Sequence, residues 1–138
     1  MMVVLDASAA AAIVKQSDTG RGFSEVLLAA TAVLAPDLYI AETANVCWKL
    51  WLLDKKNPEL YRAMAADCVD YVDHYVPSAE LWREALIEAQ NHVHAVYNML
   101  YATLARRNDA TLFTGDMKLR ATCATMGVRI YDGCSEQN

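Results

Sequence analysis

Met2-Val3-Val4-Leu5-Asp6-Ala7-Ser8-Ala9-Ala10-Ala11-Ala12-Ile13-Val14-Lys15 opens the chain and carries the reading of the fold. The first four residues form a short valine-rich apolar run, the pattern of a strand buried on both faces. From Ser8 to Lys15 the composition turns alanine-rich and favours helix. Between the two sits one charge, Asp6. An aspartate at a strand-to-helix junction commonly caps the following helix. It is also where α/β sheets present ligand-binding groups, beyond the carboxyl ends of parallel strands.

The same alternation continues outward. A helix is expected over 22–30 and a strand over 33–35, and Pro36-Asp37 opens a long helix over 38–53. Asn57-Pro58-Glu59 reads as a helix start, with an N-cap side chain followed by proline at the first helical position. Leu60, Met64, Cys68, Tyr71 and Val72 follow at helical spacing. Tyr75-Val76 reads as a strand. Helices are then expected from Pro77-Ser78 to about Gln90 and from His94 to Arg107. The β-branched run Thr111 to Thr114 is a strand, 118–126 a helix stopped by Gly127, and 128–131 a last strand. Short apolar strands alternating with helices predict a three-layer α/β fold, its central parallel sheet covered by helices on both faces. A single domain is expected over 1–138, with 137–138 and their neighbours a loose tail.

The bulk properties exclude several classes. Hydrophobic residues make up 55% of the 138 residues, so the chain folds and buries a core. No apolar run reaches the ~18 residues of a membrane span. The N-terminus has no basic region before its apolar run, so no signal peptide is expected. Cys47, Cys68, Cys123 and Cys134 form no CxxC pair, which leaves reduced thiols in a cytoplasmic protein as the reading. The formal charge is −5, from 12 basic and 17 acidic residues, without the basic footprint of most nucleic-acid binders. Either nucleic acid is not the partner, or the acids gather where metal offsets them.

Four polar residues stand out against apolar surroundings. Asp6 and Asp116 both follow strands, and each has helix capping as its bland reading. Glu42 lies in the apolar stretch Leu38-Tyr-Ile-Ala-Glu42-Thr-Ala-Asn45-Val46-Cys-Trp48, where a charge is rarely buried without a partner or a metal. Glu42, Asn45 and Lys49 recur at spacings of three and four and share a face, which is also what an ordinary solvated stripe looks like. Asn98 interrupts Val96-Tyr97-Asn98-Met99-Leu100-Tyr101-Ala102, with His94 a turn earlier and Tyr101 nearly a turn later. Asparagine disfavours helix interiors, so Asn98 is a satisfied core amide, an exposed residue or a site residue.

The order joins them: Leu-Asp6-Ala-Ser8 at the first strand, Glu42-x-x-Asn45 on the long helix, His94-x-x-x-Asn98-x-x-Tyr101 on a late helix, and Thr114-Gly-Asp116 after the next strand. From Val3 to Ile130 this pattern resembles the PIN-domain family and, within it, the VapC toxins of bacterial toxin–antitoxin modules. The resemblance implies that Asp6, Glu42, Asn98 and Asp116 surround Mg²⁺ or Mn²⁺, with Ser8, Asn45 and Thr114 supporting them. It implies an endoribonuclease that hydrolyses RNA with a metal-activated water, acts as a homodimer and is held by a cognate antitoxin. The family usually has aspartate where this chain has Asn98. That leaves a variant site with one tight metal, an attenuated or inactive relative that binds protein or RNA, or an asparagine introduced to silence a nuclease.

Lys15, Lys49, Lys118 and Arg120 lie on elements flanking the expected site, and Arg106-Arg107 ends the Asn98 helix. A haloacid-dehalogenase-type phosphatase would need a second acid where Ser8 stands and another after Asp116. A zinc site on His92-x-His94 has no cysteine or acid at a supporting spacing. Trp48, Trp51 and Leu52 recur on one side of the long helix, as core or as an apolar docking face.

Overall fold

The computed structural model describes residues 1–134; the expected loose tail at 137–138 lies outside them. Twelve elements follow in the order β1 (Met2–Leu5), α1 (Ala7–Val14), α2 (Asp18–Leu27), β2 (Ala32–Pro36), α3 (Leu38–Asp54), α4 (Pro58–Asp70), β3 (His74–Val76), α5 (Ser78–His92), α6 (Val96–Arg107), β4 (Thr111–Phe113), α7 (Met117–Met126) and β5 (Ile130–Tyr131). The five strands form one parallel sheet in the order β3-β2-β1-β4-β5. β1 is central, with Val3, Val4 and Leu5 opposite Thr111, Leu112 and Phe113 of β4. Each of those three β1 side chains is fully buried, as a central strand covered on both faces requires.

Parallel strands need crossovers, and crossovers are right-handed. The chain therefore runs outward from β1 through β2 to β3, then returns across the sheet to β4 and β5. α1 packs on α2, α3 and α4, while α5 packs on α6, which lies against β1, β2 and β4. The carboxyl ends of β1 and β4 lie side by side where the strand order reverses, the position at which such sheets bind ligands. No described helix is long and apolar enough to cross a membrane.

Three local expectations are corrected. α2 begins at Asp18, four residues before the expected 22, because Ser17 caps it by accepting from the Gly20 amide at 3.1 Å. Its two glycines are helical because the backbone is crowded. A Cβ on Gly20 would sit 1.9 Å from the Ala12 carbonyl oxygen of α1, and one on Gly22 the same distance from the Gly133 oxygen. Asn57 is left-handed (φ 47°, ψ 58°) and makes no side-chain cap, although Pro58 does open α4. His94 precedes α6 rather than lying on it. The chain leaves α5 through Val93 at φ 50° and enters α6 through Ala95.

Candidate functional site

Asp6 follows β1 and caps α1: its Oδ1 accepts from the Ala9 amide at 2.9 Å and the Ser8 hydroxyl at 2.6 Å. Ser8 Oγ also accepts from the Gly115 amide at 2.9 Å and lies 3.4 Å from Thr114 Oγ1. Thr114 accepts from the Asp116 amide at 3.0 Å. A relay of short polar side chains thus ties the end of β1 to the end of β4. Asp116 caps α7, with Oδ1 taking the amides of Lys118 and Leu119 at 2.9 and 3.0 Å. Its Oδ2 faces Asn98 Nδ2 at 3.5 Å. Both aspartates cap the helix that follows them, each at the carboxyl end of its strand, through one carboxyl oxygen.

Glu42 is half-buried on α3 and accepts at 2.7 Å from the phenol of Tyr101, itself buried on α6. Burial, then the Glu42 charge and hydrogen bond, then Asp6 push the Tyr101 phenol far above its ordinary range, so it stays a donor. Tyr101 is the positioning residue that the sequence left outside the site; its place three residues after Asn98 was the available signal. Asn45, a turn beyond Glu42, is exposed, and no hydrogen bond ties it to the other site residues.

The electrostatics are lopsided. Asp6 is buried, at 5% exposure, and its carboxyl is pushed up to about 6. Desolvation is the main cause. The hydroxyls of Ser8 and Thr114 and the Ala9 amide oppose it, and the Glu42 charge adds to it. Among the described residues the ion pairs join other groups, and none includes Asp6, Glu42 or Asp116. Arg106 and Arg107 are committed to Glu84 and Glu88 of α5, at the end of α6 opposite Asn98. Arg120 is tied to Asp132 at 2.6 Å. Lys15 follows α1 as its C-cap, Lys118 meets Asp116 through its backbone amide, and Lys49 is exposed on α3.

The donors suit a hard dication in kind: carboxylates, hydroxyls and an amide carbonyl, all oxygen. A buried carboxylate with no cation beside it is the charge such an ion would offset. Among the described residues no three acidic, histidine or cysteine side chains are drawn tightly enough to form a closed cluster. The contacts join Asp6 to Asp116 through Ser8 and Thr114, and Asp116 to Asn98, without a closed cage of acids. His92 contacts Glu88 at 3.1 Å, and the buried ring nitrogens of His94 have no hydrogen-bond partner among the described residues.

A second concavity lies between α3 and α4. It has a volume of ≈ 350 Å³ and is lined by Trp48, Trp51, Tyr61, Pro58 and Arg62 among others. Trp48 is 53% exposed, so the tryptophans are not simply core.

The chain matches the family described as PIN domain over residues 3–124. Its fold is similar to that in the crystal structure of PAE2754 from Pyrobaculum aerophilum. The TM-score is 0.69 at 20% identity, covering 94% of this chain and 89% of that one. At that identity the likeness concerns the fold. No curated protein matches the chain.

Proposed function

This chain belongs to the PIN-domain family, and we propose that the pocket of Asp6, Glu42, Asn98 and Asp116 is the active site of a metal-dependent endoribonuclease. The family suggests a metal-dependent nuclease. The observation that carries the specific assignment is Asp6: a buried carboxylate, raised to about 6, at the switch point of a parallel sheet, with Glu42 adding negative charge and no ion-paired cation.

Asp6, Glu42, Asp116 and the Asn98 carbonyl would hold Mg²⁺ or Mn²⁺. Such an ion, when bound, supplies charge against the phosphodiester and lowers the pKa of a water. The chain's own residues do the rest. Ser8 and the Ala9 amide fix the Asp6 carboxylate. Tyr101 holds Glu42, and the two α7 amides hold Asp116, so the carboxylates are oriented before substrate arrives. The reaction is hydrolysis: the water oxygen bonds to phosphorus, and the bond to the leaving sugar oxygen breaks. No serine or cysteine ester is formed on the enzyme.

The biological role we assign is that of a cytoplasmic toxin, a homodimer restrained by a cognate antitoxin. The α3–α4 groove with its half-exposed Trp48 supports a peptide-binding face of that kind. A second reading, a PIN-fold module that binds without cutting, is favoured by one observation: Asn98 removes a negative charge where the family usually has one.

Incubating single-stranded RNA with the protein and Mn²⁺ tests the assignment, with chelator and Asp6→Asn as controls. Cleavage that needs the metal is expected, reduced roughly 100- to 1000-fold in the variant, as for loss of one preorganised electrostatic group. If wild type is inert and Asn98→Asp is active, the binding-module reading stands. If both are inert with Mn²⁺ and with Mg²⁺, the nuclease assignment falls.

A further inference from the structure

The cations near the proposed site are divided. Arg106, Arg107 and Arg120 are held in ion pairs, while Lys49 and Lys118 are exposed and in no ion pair among the described residues, and the net charge is −5. Two lysines offer few phosphate contacts, the usual main source of affinity for nucleic acid. Single strands have a second source of affinity, the stacking of bases on exposed aromatic rings.

One ring is placed for it. Tyr97 is 65% exposed in the first turn of α6, immediately before Asn98. Met117 is 79% exposed at the first position of α7, immediately after Asp116. Asn98 and Asp116 meet at 3.5 Å. Each apolar side chain thus leaves the backbone at the Cα next to that of Asn98 or Asp116, ~3.8 Å along the chain. Isolated exposed apolar residues are common and need no explanation. Leu28, Leu53 and Val93 are as exposed, but Leu28 follows the end of α2, Leu53 is the last residue but one of α3, and Val93 lies in the link from α5 to α6. Tyr97 and Met117 differ in being the chain neighbours of Asn98 and Asp116, whose side chains meet. The Tyr97 hydroxyl has no hydrogen bond among the described residues, so folding does not account for its ring.

We infer that Tyr97 is a base-stacking residue of the proposed pocket: an unpaired nucleotide beside the scissile phosphate lays its base on the Tyr97 ring, with Met117 on the facing rim. This rests on the nuclease reading and deepens it, because an unstacked base exists only in single-stranded or looped RNA. Stacking accepts any base, so Tyr97 selects strandedness rather than sequence.

The test is binding in chelator, where no metal-dependent cleavage proceeds, of an unstructured RNA oligomer carrying 2-aminopurine. Wild type should quench the 2-aminopurine on binding. Tyr97→Ala should bind roughly tenfold more weakly without that quenching, and Tyr97→Phe should retain both. The loss should be equal at low and high salt, since no charge is removed, and the melting temperature should not move. Equal affinity and quenching in Tyr97→Ala overturns the inference, and leaves the nuclease reading standing where wild type still cuts RNA with Mn²⁺. A change in protomer association in Tyr97→Ala, with RNA affinity per protomer unchanged, also overturns it and assigns the ring to a protein interface. Wild type that neither binds nor cuts single-stranded RNA overturns both.

Discussion

Two places in this molecule gather carboxylates, and they treat them in opposite ways. On the α5–α6 face, Glu84 receives Arg106 at 2.8 Å and Arg107 at 2.6 Å, while Glu88 meets Arg106 at 3.2 Å and His92 at 3.1 Å. Burial pushes the Glu84 carboxyl up, but the two arginines outweigh it and hold the group below its ordinary range. At the sheet edge Asp6 is more deeply buried and has no such partner, so burial wins and its carboxyl rises. The same side-chain chemistry is a clamp in one region and a deficit in the other. Negative charge that folding leaves uncompensated is what a positive ligand can exploit, whereas compensated charge is scaffold.

The sharpest way to break this comparison is to neutralise Asp6. Asp6→Asn keeps a capping side chain and removes the uncompensated charge, so the metal-free protein should become more stable. The rise from 3.8 to about 6 corresponds to on the order of 3 kcal/mol. The sign follows from proton counting. Between those two values the folded state holds more protons than the unfolded state, so stability falls as pH rises through that window and the penalty is complete above about 6. Denaturant unfolding from pH 4 to pH 7 should show this slope in wild type and lose it in Asp6→Asn. A stability loss at pH 7 would mean that Asp6 is a structural acid like Glu84.

Asn98→Asp deepens the deficit instead. A second charge beside Asp116 should lower the metal-free melting temperature and tighten Mn²⁺ binding. Up to ~4 kcal/mol of attraction is available at 4 Å and an effective dielectric of 20, before desolvation. Calorimetric titration of both proteins checks it, and equal affinities would remove Asn98 from the set of ligand positions.

Tyr101→Phe should cost ~1.5–3 kcal/mol at most, the range for a hydrogen bond to a charged group, because Glu42 is only half-buried and water can replace the phenol. Its signature is reduced cleavage with Mn²⁺ affinity lowered and the fold intact. Cleavage at the wild-type rate would show that Glu42 needs no positioning. The smallest effect belongs to the clamp. Glu84→Gln should destabilise by about 1 kcal/mol or less, since its arginine partners are well exposed, and added salt should shrink the difference. Metal-dependent cleavage should be unchanged, because the clamp lies at the far end of α6.

The sequence carried the sheet well because its strands are short buried runs that end in visible punctuation. Val3-Val4-Leu5 stops at Asp6, and Leu112-Phe113 is followed by Gly115-Asp116. Fully buried strands advertise themselves by hydrophobicity alone. The start of α2 was placed at 22 rather than 18, and the two glycines near its start are explained by the approach of the Ala12 and Gly133 carbonyls. Asn57 looked like a cap by composition, while its dihedrals put it in the left-handed region, where asparagine is also tolerated. Arg106-Arg107 end the helix that carries Asn98, and the sequence does not show how far from it they act. Eight residues of helix carry Arg106 ~12 Å away, onto α5. Asp6 and Asp116 were findable by local rules, since strand ends are local. The Glu42–Tyr101 and Asn98–Asp116 contacts join residues far apart in the chain, and no periodicity encodes them.

The pairing of Val3 with Thr111 has a consequence for the order of events on the ribosome. The two strands that carry Asp6 and Asp116 are separated by 108 residues, 111 − 3, so translation at ~5–20 residues per second puts roughly 5–20 s between their syntheses. Throughout that interval the nascent chain holds Asp6 with Ser8 and Ala9 but without Thr114 and Asp116. Helices packed on β1 and β2 can dock earlier, but β1 gains its β4 partner only after Phe113 is made. A product terminated before β4 therefore lacks the strand that brings Asp116 beside Asp6, and the timing of assembly is written into the strand order.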